Sequence, residues 1–437
     1  MDDTAAQASK RDGIEGRSMK SCARCSSIVN ENETSESETY EDARESESDE
    51  NGDERGARNG DARAEAETRD EYGFALTPSV VTRPSRRGRK MERSQRAKAR
   101  DKKFWNRVRA NAGALKEDGE AAKRAIRRGV PRDLRRDVWY LSSGASEMRA
   151  NAPSTSYYEQ LLMMKVDEKV TDQIELDLAR TFPENENYER GNGTVGQGGN
   201  DVLRRILFAY ARHNRTTGYC QGMNYIAAFI WIVIGDEERA FWTFATLLDG
   251  VLPGDVHASD IKGTIAQYKI LHRILESQAP KIARHLRAVD VDLVMIASKW
   301  LLCLFVESLP ALTAARVLDC VLAEGEKVWF RVVIAMLRLH EREILACQTM
   351  PDVMVALKDV YRRQTDADEL LNFAFKNIRL SRKTILNHRV SVRRAMNEEA
   401  ERRAVELAAN RKRTAAMEAA RKAQFASPEP NSGSFSP

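Results

Sequence analysis

Two short segments carry side chains whose chemistry suits phosphoryl transfer. In the first, Ile174-Glu-Leu-Asp-Leu-Ala-Arg-Thr-Phe-Pro183, Arg180 stands at the end of a short helical run, just before a proline. In the second, Gly218-Tyr-Cys-Gln-Gly-Met-Asn224, Gln221 lies in a glycine-flanked turn before an apolar helix. An arginine neutralises charge on a transferring phosphoryl group, and a glutamine orients the attacking water. Held on rigid turns, this pair is suited to insertion into another protein's active site.

Both side chains also have a purely structural interpretation. Arg180 can pair with Asp177, three residues earlier on the same helix face. Gln221 can cap a helix or bind a loop carbonyl. The context favours the chemical interpretation, because Pro183 stops the helix and leaves the arginine braced and pointing outward. The glycines beside Gln221 allow another backbone to approach closely, and its amide offers both a donor and an acceptor.

The charges of the chain are strongly segregated. Among 437 residues the net charge is only +5, yet residues 31–71 are acidic and residues 83–109 are basic. This pattern favours interaction arms or intramolecular pairing over a uniformly basic nucleic-acid binder. The first 72 residues have almost no large apolar side chains, which predicts disorder.

The middle of the chain has helical spacing of its apolar residues and few alternating strand patterns. It predicts an all-α domain of many helices joined by short loops. The predicted division is a disordered acidic tail (1–72), a basic linker or helix (73–123), the main helical domain (124–345), a helical extension (346–388) and a charged helical then disordered tail (389–437).

Several helices are predicted from apolar stripes, namely residues 268–276, 299–306, 313–322, 327–339, 368–378 and 393–422. The last of these lacks a clean apolar seam, so a coiled coil is not favoured. Five tryptophans in apolar helical contexts are expected in the core: Trp139, Trp231, Trp242, Trp300 and Trp329.

Other candidate sites are weak. Cys22 and Cys25 are a lone pair without further ligands nearby, and residues 191–196 match a dinucleotide fingerprint with no preceding strand. That stretch lies in a polar segment, residues 184–200, predicted to be a long mobile loop. The longest apolar run, Met223–Ile234, is shorter than the roughly 20 residues that span a bilayer, so no transmembrane helix is predicted. The scattered cysteines favour a reducing compartment.

In the order of its motifs, the middle of the chain resembles the TBC domain, the catalytic domain of Rab GTPase-activating proteins. Further motifs carry the resemblance beyond the segments around Arg180 and Gln221. They are Arg128-Gly-Val-Pro131, Leu134-Arg-Arg-Asp-Val-Trp139, Ser298-Lys-Trp300 with Leu304-Phe305 and Leu309-Pro310, and Arg316-Val-Leu-Asp319 with Glu324-Gly325. Leu318 stands where the family usually has tryptophan. Tyr72-Gly-Phe74 also resembles a short element that precedes the domain in some members.

The resemblance implies an all-helical, V-shaped domain that docks a GTP-bound Rab. It assigns the arginine finger to Arg180 and the glutamine finger to Gln221, which would replace the GTPase's own glutamine in trans. Asp177 would orient Arg180. Asn224, Arg316 and Tyr219 are supporting candidates. The chain would need no cofactor of its own, because GTP and Mg²⁺ are carried by the partner.

Two other interpretations stay open from the residues. The first is a non-catalytic Rab-binding adaptor, which the intact Arg180 and Gln221 pair argues against. The second is that the basic segment 83–109 contacts an anionic membrane. The simpler interpretation of that segment, which the residues favour, is a solvated basic linker helix. No nucleic-acid partner is expected. The expected location is cytoplasmic, peripheral on endomembranes and connected with vesicle traffic.

Overall fold

The computed structural model describes residues 69–75, 91–188, 198–258 and 260–425. Within these ranges the regular structure is helical, apart from an isolated β-bridge between Arg69 and Ala75. The all-α prediction is confirmed. The predicted tail 1–72 lies outside the described residues except for its last four, and so do Cys22, Cys25 and the glycine-rich stretch 191–196.

The first group of helices runs to residue 246 and ends in a π-helical turn, Leu247–Val251. Its members are α1 (Met91–Ala110), α2 (Ala114–Glu117), α3 (Gly119–Arg128), α4 (Arg132–Ser142), α5 (Ala145–Ala150), α6 (Tyr157–Met163), α7 (Glu168–Leu178), α8 (Gly199–His213), α9 (Met223–Ile234) and α10 (Glu237–Thr246).

The second group follows that turn. Its members are α11 (Lys262–Gln278), α12 (Pro280–Ala288), α13 (Leu293–Leu302), α14 (Ala311–Glu324), α15 (Lys327–Leu339), α16 (Glu341–Ala346), α17 (Met350–Arg362), α18 (Ala367–Asn377) and α19 (Arg382–Phe425). No helix in the described ranges is both long and apolar enough to cross a bilayer.

Helix α9 is the centre of the first group. It is apolar on nearly all sides and packs against α4, α7, α8 and α10. A helix that is hydrophobic all round is stable only when it is surrounded. Gly222 and Gly235, at its two ends, both have positive φ values and so separate it sharply from the flanking turns.

Most of the core predictions hold. Trp139, Trp242, Trp300 and Trp329 are at most 2% exposed, as expected. Trp231 is only partly buried, so its predicted place in the core is wrong in degree. Its ring packs edge to face with the ring of Tyr188, with the two centroids 5.7 Å apart.

The predicted helix over 299–306 ends earlier, at Leu302. Leu304 and Phe305 have φ values of 47° and 66°, which a right-handed helix excludes. Both side chains are 0% exposed. Burying a large apolar side chain stabilises by about 1.5–3 kcal/mol, which offsets the roughly 1–2 kcal/mol cost of a left-handed residue. Tertiary packing therefore overrides the local pattern here.

The helix predicted over 393–422 is part of the longer α19. Its first turns pack on α11, with Ile385 and Val392 buried. From residue 400 to residue 422 every position is exposed. This part of the helix thus projects from the domain without packing against it, and only its own backbone hydrogen bonds maintain it.

The two groups of helices are joined by a buried ion pair between α4 and α14. Arg135 donates from Nε to Oδ1 of Asp319 at 3.0 Å, and the Trp139 indole donates to the same oxygen at 2.7 Å. Asp319 is 0% exposed and Arg135 is 4% exposed. Burial raises the pKa of Asp319, while the charge of Arg135 and the hydrogen bond from Trp139 oppose that rise.

Replacing Asp319 by alanine should destabilise the fold strongly, because the buried Arg135 would keep only the partly exposed carboxylate of Glu71, at 3.9 Å, as an ionic partner. We expect Asp319→Ala to lower the free energy of unfolding by about 3–5 kcal/mol in a urea titration. The matched control is Asp133→Ala on the same helix as Arg135, whose carboxylate pairs with Arg109 and is 59% exposed. It should cost at most about 1 kcal/mol. Equal losses in the two variants would contradict this account.

Candidate functional site

The first turn of the site follows α7. The Thr181 hydroxyl donates to the carbonyl of Asp177 at 2.6 Å and so satisfies one of the open carbonyls at the helix end. Pro183 disfavours the right-handed helical region for the residue before it, and Phe182 has a φ of 46°. The chain therefore turns sharply after Arg180, as the sequence predicts.

Arg180 is braced by a buried carboxylate. Its guanidinium forms an ion pair with Asp177, whose side chain is 2% exposed, while the Arg180 side chain is 33% exposed. On the other side, the Tyr219 hydroxyl donates to Oδ2 of Asp177 at 2.5 Å. Burial, followed by the charge of Asp177, raises the pKa of Tyr219 well above its usual value, so the phenol remains a donor. Asp177 thus contacts both Arg180 and Tyr219.

The second turn carries Gln221 into α9. The amide of Gly218 donates to the carbonyl of Asn214 at 2.8 Å, and the amide of Met223 donates to that of Cys220 at 3.1 Å. Gly222 has a φ of 104°, and a Cβ added there would lie 3.0 Å from the carbonyl oxygen of Leu302. Glycine is needed at this point both for the conformation and for the close approach.

The wall behind Gly222 is itself fixed in place. Nε2 of His257 lies 3.2 Å from the carbonyl oxygen of Leu302. A carbonyl only accepts hydrogen bonds, so Nε2 carries the hydrogen. Burial lowers the pKa of His257 to about 4, which keeps the imidazole neutral near pH 7.

Asn224 joins the two turns. Its Oδ1 accepts from the amide of Gly222 at 3.0 Å, and its Nδ2 donates to Oγ1 of Thr181 at 2.8 Å. Asn224 is 0% exposed, so these bonds are shielded from water. Nearby, the Tyr225 hydroxyl donates to the carbonyl of Arg180 at 3.3 Å. The Gln221 and Arg180 turns are therefore one hydrogen-bonded unit.

The two candidate fingers differ in exposure. Gln221 is 5% exposed and the Arg180 side chain is 33% exposed, so the arginine is the more accessible of the two. Among the described residues, none forms a hydrogen bond with the side-chain amide of Gln221. Within this part of the chain, the donor and the acceptor of the amide are thus unused.

Arg316 lies in a different environment from the other candidates. It donates to Oδ1 of Asp368 at 2.8 Å and to the carbonyl of Arg127 at 3.0 Å. It also lies 3.8 Å from Asp319, in the buried cluster that joins the helix groups. Its contacts support that junction, and its role in the site stays a prediction.

Several residues that shape the site were not predicted from the sequence. Thr181 joins Asp177 to Asn224, and its position between the arginine and Phe-Pro is the one cue in the sequence. His257 and Leu302 come from distant segments, and only the fold brings them beside Gly222. Burial raises the pKa of the Cys303 thiol, on which the charges of Asp177 and Arg180 also act. This thiol is therefore an unreactive part of the wall.

Comparison with known proteins places this site in a family. The sequence model of the Rab-GTPase-TBC domain matches residues 132–345. Growth hormone-regulated TBC protein 1 of Homo sapiens is 32% identical over 256 residues, which cover 59% of this chain and 74% of that protein. The chain belongs to the Rab-GTPase-TBC domain family.

Other relatives agree with this assignment. Growth hormone-regulated TBC protein 1-A of Danio rerio is 36% identical over 240 residues, covering 55% of this chain and 66% of that protein. The solved structure of the Chlamydomonas flagellar RabGAP TBC domain is 28% identical, with a TM-score of 0.56; the match covers 71% of this chain and 100% of that one. All six candidate residues, from Asp177 to Arg316, lie inside the matched TBC region.

The close approach at Gly222 leads to a stability prediction. Gly222→Ala should destabilise the domain more than Gly218→Ala, although both glycines have positive φ. At Gly218 no atom lies within 4 Å of an added Cβ, so only the backbone cost of roughly 1–2 kcal/mol applies. At Gly222 the methyl group also meets the Leu302 carbonyl, and overpacking adds about 1–3 kcal/mol.

Chemical denaturation of the two variants measures this difference. If Gly222→Ala is no less stable than Gly218→Ala, the Gln221 turn does not depend on the approach to Leu302.

Proposed function

We propose that this TBC protein accelerates GTP hydrolysis by a Rab-family GTPase in its GTP-bound state, with Arg180 and Gln221 inserted in trans. The observation that carries the proposal is the buried Asp177 carboxylate, which pairs with Arg180 and accepts from Tyr219 beside Gln221. One buried group thus holds both turns in fixed relation. The chain itself is an activator and not a nucleotide hydrolase, and GTP and Mg²⁺ would come with the partner.

The role of Arg180 follows from charge. Negative charge spreads over the oxygens of the transferring phosphoryl group, and a cation placed there in advance lowers the barrier. The guanidinium has five N–H donors in a planar fork. Asp177 can hold part of that fork while the rest addresses phosphate oxygens, so the brace also keeps the side chain extended. Lysine has no such fork and is a poor substitute.

The role of Gln221 follows from its amide group and its burial. An amide that offers a donor and an acceptor can hold a water molecule in line for attack. Because Gln221 is nearly buried, a docked partner would exclude bulk water around it, which strengthens the polar contacts in the closed site. We assign Asn224 and Tyr219 the task of holding the turn of Gln221 in place.

The catalytic assignment is tested by phosphate release from a panel of GTP-loaded Rabs. We expect the full chain to accelerate one or a few of them, and Arg180→Lys to lose most of that acceleration. Arginine fingers contribute about 10³–10⁵ in rate. Gln221→Ala should also slow hydrolysis while its helical circular dichroism stays unchanged. Normal turnover by Arg180→Lys would refute the assignment.

A matched control is Arg204→Lys. The Arg204 side chain is 34% exposed and pairs with Glu175 on α7, so it resembles Arg180 in exposure and pairing. It should keep wild-type turnover. If the wild type binds GTP-loaded Rabs without accelerating any of them, the chain is instead a Rab-binding adaptor, and the paired turns serve structure alone.

We also propose a peripheral contact with anionic membranes, which would place this activator on endomembranes and in vesicle traffic. The supporting observation is the two-sidedness of α1. Phe104, Trp105 and Val108 are buried against the domain, whereas Lys102, Lys103 and Arg107 are exposed. Because these cations are already exposed on one side of the helix, they can approach lipid head groups without any change in the fold of the domain.

Neutralising the exposed cations of α1 tests this contact. The triple variant Lys102→Gln, Lys103→Gln, Arg107→Gln should bind vesicles of anionic phospholipid about 100-fold more weakly at low salt, at about 1 kcal/mol for each charge. The same three-charge neutralisation at residues 411–413 of α19 is the control. Co-sedimentation across a salt series measures both, since screening should weaken the wild type most. Equal binding by wild type and the α1 variant would exclude the contact.

A further inference from the structure

The turn that carries Arg180 is covered by a segment from far upstream, residues 69–75, which we call the clip. Asn185 donates from Nδ2 to the carbonyl of Tyr72 at 2.9 Å, and the amide of Glu186 donates to the carbonyl of Gly73 at 3.2 Å. Arg69 donates to the carbonyl of Glu184 at 2.8 Å. The clip lies outside residues 132–345, which match the TBC family.

Asn185 shows that the clip is a component of this turn. The residue is 0% exposed, and its Oδ1 accepts from both the backbone and the side-chain amide of Asn187. Its Nδ2 is therefore aimed in one direction, at Tyr72. A buried amide that loses its acceptor destabilises the structure, so the hydrogen bonds of the turn are complete only when the clip is bound.

Aromatic contacts extend the clip to the residue next to Thr181. The ring of Phe74 packs edge-on against Phe182, with centroids 5.0 Å apart. Phe182 also contacts Tyr225 at 5.3 Å, and Phe74 reaches Phe229 of α9 at 6.2 Å. The partly buried Phe182 thus packs between the clip and α9.

The conformation of Phe182 requires such packing. A non-glycine residue with positive φ is strained and persists only when its surroundings hold it. Phe182 lies two residues after Arg180. If its ring were released, the turn could relax and the guanidinium would lose its direction relative to Gln221.

The clip is anchored at its other face to the junction between the helix groups. The hydroxyl of Tyr72 is hydrogen-bonded to the guanidinium of Arg135, and Arg132 donates to the carbonyl of Glu71 at 2.7 Å. Within the clip, Oδ1 of Asp70 accepts from the amides of Tyr72 and Phe74 at 2.8 and 3.0 Å. It therefore connects the rigid core of the domain to the Arg180 turn.

We propose that the clip is a positioning element for Arg180, and that Phe74 acts on the arginine through Phe182. The inference rests on the proposed GTPase-activating function and adds a segment outside the TBC match to its machinery. Loss of the Phe74 ring should lower the maximal rate of activated hydrolysis and leave the affinity for the Rab nearly unchanged. A small displacement of a reacting group costs as much as about 100-fold in rate, so we expect a loss of about 10- to 100-fold.

The experiment is single-turnover phosphate release from a GTP-loaded Rab that the wild-type full chain accelerates. A range of activator concentrations separates the maximal rate from the half-saturating concentration. The variants are Phe74→Ala and Arg69→Ala, the second being a milder change at a partly exposed residue. Phe104→Ala is the control, because Phe104 is a buried aromatic on α1 that packs against Trp105, away from the turn.

The expected result is a lower maximal rate with Phe74→Ala, a smaller drop with Arg69→Ala, and none with Phe104→Ala at a temperature where all are folded. In an Arg180→Ala background, Phe74→Ala should cause no further loss, because its effect passes through the arginine. In both clip variants, hydrogen exchange at the amide of Glu186 should become faster.

Two results would overturn the proposal. One is a wild-type maximal rate in Phe74→Ala while Arg180→Lys is inactive. This result would refute the positioning role of the clip and leave the assignment of Arg180 as the arginine finger intact. The other is a full additional loss in the Arg180→Ala background, which would mean that Phe74 acts on the fold in general. If Arg180→Lys is itself fully active, the proposed function fails first, and the Glu186 exchange still reports whether the clip holds the turn.

Discussion

A carboxylate that is 2% exposed needs partners to remain charged, and for Asp177 those partners come from two separate turns. Arg180 lies three residues later on the same segment, and Tyr219 arrives from the turn before α9. Of the two contacts, the hydrogen bond from Tyr219 is the one that crosses between the turns, and leaving a buried acceptor unsatisfied costs about 1–3 kcal/mol. This requirement sets the relative position of Arg180 and Gln221. The packing of α7 against α9 then follows it.

The parts of the site that local rules govern were predictable. Pro183 ends the helix wherever it occurs, and a Gly-x-x-x-Gly turn before an apolar run marks the start of α9. The spacing of Asp177 and Arg180 lets them pair on any helix end. The all-α class followed in the same way, because the apolar spacing of each helix is visible within one short window.

Long-range contacts were not predictable from such windows. The left-handed Leu304 and Phe305 arise because both side chains reach the core only when α13 stops early. The need for glycine at position 222 arises because the Leu302 carbonyl lies beside it. Arg316 joins the α4–α14 junction, although its motif lies in family order with the fingers. Each of these depends on residues far away in sequence, where a single chain shows no pattern.

The hydrogen bonds that cross between the two turns have a polarity. The amide of Gly222 gives its hydrogen to Asn224, Asn224 gives one to Thr181, and Thr181 gives its only hydrogen to the carbonyl of Asp177. Each group acts only as a donor or only as an acceptor in each of these bonds. The side-chain amide of Asn224 therefore has one orientation, and flipping it would break both of its hydrogen bonds. An aspartate at that position would match it almost atom for atom. It would nevertheless place a carboxylate oxygen against Oγ1 of Thr181 with no hydrogen between the two acceptors. The shape of the site would be unchanged, but this hydrogen bond would be lost.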